Sequence, residues 1–228
     1  MSHDFDEQYW ENHWRDAGSS DAPNPCLATE LAGIVPGLAL DAGCGEGAEA
    51  LWLAEHGWQV TAVDISATAL ARAWARSAAR GLADRVAWVQ ADLTAWAPSS
   101  GLDLVTTHYA HPAMPQADFY DRIAGWVVPG GTLLVVGHGH GAGHGHSGPD
   151  ADDHGRHRDA GRAQPTAHGT APEQALVSAP ALRERFADRG WEVVTADERV
   201  RATCDLDGRP VTLRDVVLRA RRPAGPPA

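Results

Sequence analysis

The sequence predicts an α/β fold: a doubly wound, mainly parallel sheet with helices on both faces, closed by an antiparallel C-terminal hairpin. Three observations carry this. Apolar β-type runs alternate with runs of helical spacing from Leu38 to His138, and such alternation builds parallel strands through right-handed crossovers. A glycine-rich turn, DAGCGEGA, joins the first strand to the helix after it. Two final runs, WEVVTADERVRAT and TLRDVVLRARRP, face each other across CDLDGRP, where Asp207-Gly208 is a hairpin turn signal.

In chain order, LATELAGIV carries helical spacing up to Pro36. The strand LALDA (38–42) and the helix AEALWLAEHG (48–57) follow, then QVTAVDI (59–65) and a helix over 66–81 that Ser66 caps and Gly81 closes. VAWVQAD (86–92) and LDLVTTHY (102–109) supply two more strands. A helix over Gln116–Val128 should stop at Pro129-Gly130-Gly131, with GTLLVVGH (131–138) the fifth strand. The stretch 139–177 is rich in Gly, His, Asp and Pro and nearly free of large apolar residues, so it reads as a mobile excursion. SAPALRERFADRG then resumes a helix, with Ser178 as its cap. The whole chain, 1–228, forms one domain with two additions, the N-terminal segment 1–35 and the inserted stretch 139–177.

Composition narrows the function. The formal net charge is -11 and every one of the 19 basic residues is an arginine, which argues against nucleic acid or an anionic membrane as the partner. The N-terminus has no signal-peptide pattern and no run is long enough to span a bilayer. Cys26, Cys44 and Cys204 lie far apart without a CxxC pair, so the expectation is a reduced, cytoplasmic protein with no thiolate metal site.

The turn at Gly43, Gly45 and Gly47 brings backbone close to a ligand at the start of a helix, where free N–H groups are available. Its spacing also fits a dinucleotide fingerprint with Asp64 on the ribose, so an NAD(P)-dependent oxidoreductase is one alternative. Asp41 argues against it: an acid at the mouth of the loop repels a pyrophosphate and welcomes an ammonium group. Asp92 closes the third strand, so three successive strands each bring an aspartate to the carboxyl edge of the sheet. The chain also lacks lysine, and with it any Tyr-x-x-x-Lys pair.

With LDAGCGEG in this place, the sequence resembles the class I S-adenosylmethionine-dependent methyltransferases, motif by motif from Leu38 to His138. The resemblance implies a Rossmann-like, seven-stranded sheet and S-adenosylmethionine as cofactor. It implies that Asp41, Gly43, Gly45 and Gly47 meet the methionine end, Asp64 the ribose hydroxyls, and Ile65 one adenine face. Asp92 would accept from the adenine amino group, with the Leu93 N–H beside it. The segment with Tyr9, Trp10 and Trp14 is similar in kind to the N-terminal cover of thiopurine and tellurite methyltransferases, which would set Trp14 over the cofactor.

On the acceptor side, the fourth strand opens into Thr106-Thr107-His108-Tyr109-Ala110-His111-Pro112. This departs from the Asn/Asp-Pro-Pro-aromatic pattern of base-methylating relatives, so a small-molecule acceptor is expected, reached through an O, N, S or metalloid nucleophile. His108 and His111 are the candidate bases, His108 the first choice, because imidazole titrates near working pH. His138, His140, His144, His146, His154 and His157 leave a second alternative, a non-enzymatic metal-binding protein. Their spacing lacks rigidity, so no metal site is assigned.

Overall fold

The computed structural model of the chain describes residues 5–16, 22–139, 176–204 and 210–225. Six helices among them, α1 (Glu7–Asp16), α2 (Pro25–Glu30), α3 (Ala48–Glu55), α4 (Ala67–Ala79), α5 (Gln116–Ala124) and α6 (Ala179–Ala187), surround one sheet. Its strands are β1 (Leu38–Ala42), β2 (Gln59–Asp64), β3 (Val86–Gln90), β4 (Leu102–His108), β5 (Val127–Gly139), β6 (Leu176–Val177), β7 (Glu192–Cys204) and β8 (Pro210–Arg221). They lie in the order β3-β2-β1-β4-β5-β8-β7, with β6 paired to β5 off this path. The first five run parallel, and β8 lies antiparallel to both β5 and β7.

Each face of the sheet is covered because its strands are apolar on both sides. On one face Phe119, Tyr120 and Ile123 of α5 and Leu182 and Phe186 of α6 pack on Leu40, Val105, Leu133, Val135 and Leu218. On the other, Leu27 of α2, Leu53 of α3 and Leu70 of α4 pack on Val60, Leu104, Leu134, Val136 and Val217. Helix starts follow local chemistry: the Asn24, Ser66 and Ser178 side chains accept from Cys26, Ala69 and Ala181 N–H respectively.

The structure moves three boundaries. The helix expected up to Pro36 ends at Glu30, since Gly33 takes φ 79° and the β-branched pair Ile34-Val35 runs out of it. α5 ends at Ala124, four residues short of the expected Val128, and β5 already begins at Val127. Two β-branched valines favour the strand, and Pro129-Gly130-Gly131 becomes an irregularity inside it, Gly130 donating to the Arg222 carbonyl at 2.8 Å. At the far end of the stretch read as excursion, Leu176-Val177 adds an eighth strand beside His138-Gly139. Residues 140–175 and the Asp207-Gly208 turn lie outside the described residues.

Candidate functional site

At the carboxyl edge, β1 and β2 end side by side and the glycine turn bends over them. Gly43 and Cys44 N–H both donate to the Val63 carbonyl, at 2.8 and 3.0 Å. Gly43, Gly45 and Gly47 have φ of 78°, 50° and 82°, left-handed values that favour glycine. Space excludes a side chain as well. A Cβ on Gly43 would stand 2.3 Å from the Ala110 Cβ, and one on Gly45 would stand 2.6 Å from the Trp14 indole.

Asp64 ties this turn to the next helix. One of its carboxylate oxygens accepts from Gly45 N–H at 2.8 Å and the other from Ser66 N–H at 2.9 Å. Burial nevertheless raises its pKa above the ordinary aspartate value, those bonds offsetting only part of the cost. Asp41, 1% exposed, is more extreme. Its pKa is raised well above the ordinary value by burial first, then by the negative charges of Glu49 and Asp64. One of its oxygens, Oδ2, is enclosed and has no partner among the described residues. Cys44, between them, has its thiol pushed up by burial and the same acids, which removes it as a nucleophile.

An enclosed acceptor oxygen beside two further acids suits a ligand that brings a positive hydrogen-bond donor. An α-ammonium group, as in the methionine part of S-adenosylmethionine, meets that demand; a pyrophosphate does not. Ile65 is half-buried at the rim, and its carbonyl accepts from Gln90 at 3.3 Å. Asp92 is exposed and accepts from Thr94 N–H at 2.8 Å, while Leu93 is buried with its carbonyl bound by Arg122.

The glycine turn has a brace that sequence reading missed. Glu46 is 4% exposed and ion-paired with Arg72 and Arg76 of α4. The two arginines stand one helical turn apart and share a face, but no local rule assigns them to Glu46. Glu46→Ala should lower unfolding stability by roughly 2–3 kcal/mol, less than the usual cost of breaking a buried pair because both arginines keep some solvent access. Urea denaturation measures it.

α1 lies across the edge. Glu11 accepts from Thr68 N–H at the start of α4 at 3.2 Å, Glu7 accepts from Gln90 at 3.2 Å, and Trp14 rests on Gly45. Further along, the Phe5 and Trp10 rings stand 6.1 and 6.5 Å from that of His111.

The two candidate bases differ. His108 closes β4 with Nδ1 3.3 Å from Thr106 Oγ1, and its Nε2 is enclosed without a partner among the described residues. The chain then turns sharply, Tyr109 taking φ 56°, a costly value for a large side chain. Its hydroxyl is held by Asn24 at 2.7 Å and Arg201 at 3.1 Å, and Arg201 also binds the buried Asp215 at 2.7 Å. Beyond this turn, His111 bonds Gln116 at 3.1 Å through Nδ1. Its Nε2 has no partner among the described residues and is not enclosed as that of His108 is. Burial lowers the pKa of both imidazoles below the ordinary 6.5. His138 stacks on His111 at 5.3 Å and lies 4.7 Å from the Tyr109 ring. The other histidines of its tract lie outside the described residues, and no group of three or more His, Cys, Asp or Glu among the described residues is arranged to hold a metal. No described helix is long and apolar enough to cross a membrane.

Residues 39–131 match the methyltransferase domain family. An uncharacterized methyltransferase of Mycobacterium tuberculosis is 42% identical over 99 residues, a match that covers 42% of this chain and 48% of the relative, about half its length. Among solved structures, the protein studied for the conversion of a disulfide bond into a thioacetal group during echinomycin biosynthesis superposes with a TM-score of 0.64 at 26% identity, over 97% of this chain and 91% of the other. The magnesium protoporphyrin IX methyltransferase of Synechocystis PCC 6803 with bound SAM shares the fold, with a TM-score of 0.61 at 17% identity over 97% and 100% of the two chains. Residues 39–131, which span the glycine turn and Asp41, Asp64 and Asp92, thus form a methyltransferase domain, and over nearly its whole length the chain shares the fold of the S-adenosylmethionine-bound methyltransferase of Synechocystis.

Proposed function

We propose that this protein transfers a methyl group from S-adenosylmethionine to a small-molecule acceptor. The observation that carries the reading is the enclosed Asp41 oxygen beside the glycine turn, without a partner among the described residues and backed by Glu49 and Asp64. Asp41 would take the cofactor's ammonium, Asp64 its ribose hydroxyls, and Ile65, Asp92 and Leu93 the adenine. Trp14 and the rest of α1 would cover it. When bound, the cofactor supplies a methyl group on a sulfonium, an activated leaving group. The protein then has to align the acceptor, exclude water and remove one proton.

His111 takes that proton in this reading, in preference to His108, whose Nε2 is enclosed and has no partner among the described residues. The aromatic rings of Phe5, Trp10 and His138 around His111 suit a compact organic acceptor better than a polymer backbone. The formal charge of -11 points the same way.

Calorimetric titration with S-adenosylmethionine, S-adenosylhomocysteine and NAD tests the cofactor. Saturable binding of the first two is expected, and binding of NAD alone would overturn the assignment. Labelled-methyl transfer to a panel of phenols, thiols, amines and metalloid oxyanions tests the acceptor; transfer to RNA or DNA and to nothing else refutes it. The base must be neutral to act, so at saturating S-adenosylmethionine kcat/KM for the acceptor should rise with pH through a single limb centred below 6.5 and level off above it. His111→Ala should lower kcat about 10²-fold or more and remove the limb, while His108→Ala keeps it.

A further inference from the structure

His111 does not stand alone. Gln116, the first residue of α5, is 5% exposed and makes two bonds of opposite polarity. Its Nε2 donates to the Ala110 carbonyl at 2.9 Å, and its Oε1 faces His111 Nδ1 at 3.1 Å. The first bond settles the second: turning the amide over would press its oxygen against the Ala110 carbonyl. An amide oxygen accepts and never donates, so the nitrogen opposite it must carry a proton. One turn along α5, the buried Tyr120 hydroxyl faces the same amide. A Cβ on Gly137 would stand 2.8 Å from that hydroxyl, so glycine there leaves room for it. The loop is stiffened by Pro112 and Pro115, the Pro112 carbonyl accepting from Met114 N–H at 2.7 Å.

We propose that Gln116 is a positioning residue that holds His111 in its Nδ1–H tautomer and so presents Nε2, bare, to the acceptor. This rests on the methyl-transfer reading above. The aromatic rings fix the plane of the imidazole, and Gln116 fixes its rotation within that plane. As the acceptor nucleophile forms its bond to the methyl carbon, the carbon–sulfur bond breaks with its pair going to sulfur, and the acceptor proton passes to Nε2. The imidazolium then returns it to solvent. The choice of an amide rather than a carboxylate matters, because a neutral acceptor on Nδ1 raises the His111 pKa less than a charged one and leaves burial to set its direction. Around His111, α1 contributes Phe5 and Trp10, β5 contributes His138 and α5 contributes Gln116. His138 is the titratable member of that set, and the His111 pKa is governed by burial, which lowers it, and by the Gln116 hydrogen bond, which raises it.

Long-range ¹⁵N spectra of the histidine rings in the full, ligand-free chain read the tautomer without any turnover. The wild-type His111 should show a protonated Nδ1 and a pyridine-like Nε2. In Gln116→Leu the Nε2–H form should gain, kcat should fall at least tenfold, and S-adenosylmethionine affinity should stay within twofold. Gln116→Glu, close in size, places a carboxylate on Nδ1. It should raise the His111 pKa by about one unit or more and move the rising limb of the pH profile up with it. A wild-type Nε2–H tautomer, an unchanged tautomer in the folded leucine variant, or an unshifted His111 in the glutamate variant overturns the proposal. A tautomer as stated, combined with full turnover in His111→Ala, would instead remove His111 as the base and leave the Gln116 device standing.

Discussion

Asp64→Ala is expected to abolish measurable S-adenosylmethionine binding and to lower the stability of the ligand-free protein at the same time. The carboxylate has two structural partners in addition to its proposed ribose contact, Gly45 N–H at 2.8 Å and Ser66 N–H at 2.9 Å. Removing it leaves both amides without an acceptor and frees the glycine turn from α4. Hydrogen bonds to a charged group contribute about 1.5–3 kcal/mol each. The burial that raises the Asp64 pKa offsets part of this, so a net loss of roughly 2–4 kcal/mol in stability is expected. Asp64→Asn should recover little, since its amide accepts on one side only and would set an NH₂ against the other backbone N–H. Urea unfolding and calorimetry read the two effects separately. A folded Asp64→Ala protein with wild-type stability and wild-type affinity would remove both roles.

The second large effect is a proton. In the free protein the Asp41 pKa lies well above the ordinary 3.8, because burial and the Glu49 and Asp64 charges oppose its ionisation. The folded state therefore holds this proton more tightly than the unfolded chain does. Asp41 favours folding most below 3.8, and that contribution is lost as pH rises through the folded-state value. A ligand ammonium reverses the preference by stabilising the carboxylate, so binding should expel the proton into the buffer wherever the free protein still holds it. Titrations in two buffers of different ionisation enthalpy at one pH, repeated from mildly acidic to neutral pH, should show this release. Asp41→Asn should abolish it and weaken binding roughly tenfold or more, the scale of a lost charge-assisted bond. A buffer-independent enthalpy across that range in the wild type would mean that no cation meets Asp41.

Much of the geometry at the carboxyl edge was legible in the sequence because it is local. The Gly43–Gly47 turn and the aspartates at 41, 64 and 92 sit at strand ends that hydrophobic alternation identifies, and the Ser66 and Ser178 caps follow from residue type alone. The stretch where β4 ends was less legible. Position at the end of β4 favours His108 over His111, but the contacts of the two imidazoles, Thr106 for His108 and Gln116 for His111, follow from the turn that Tyr109 makes at φ 56°, which no periodicity foretells. Arg201 and Asp215 reach Tyr109 from β7 and β8, and Arg72 and Arg76 reach Glu46 from α4. Such pairs join residues far apart in the chain and leave no periodic trace. The α5 and β5 boundary was missed for a different reason: Val127 and Val128 continue an apolar pattern that suits either period, and their neighbours in the sheet decide it.

α1 bears on the glycine turn through Trp14 and on His111 through Phe5 and Trp10. In the proposed reaction one rigid element thus closes over both reactants, so they share a single doorway. Spent cofactor leaves only after the helix has lifted from the acceptor end as well, which couples the departure of one product to that of the other. Opening of that helix then joins the chemical step as an event that bears on turnover, and substitutions on the outer surface of α1 become a means of tuning throughput without touching a reacting group.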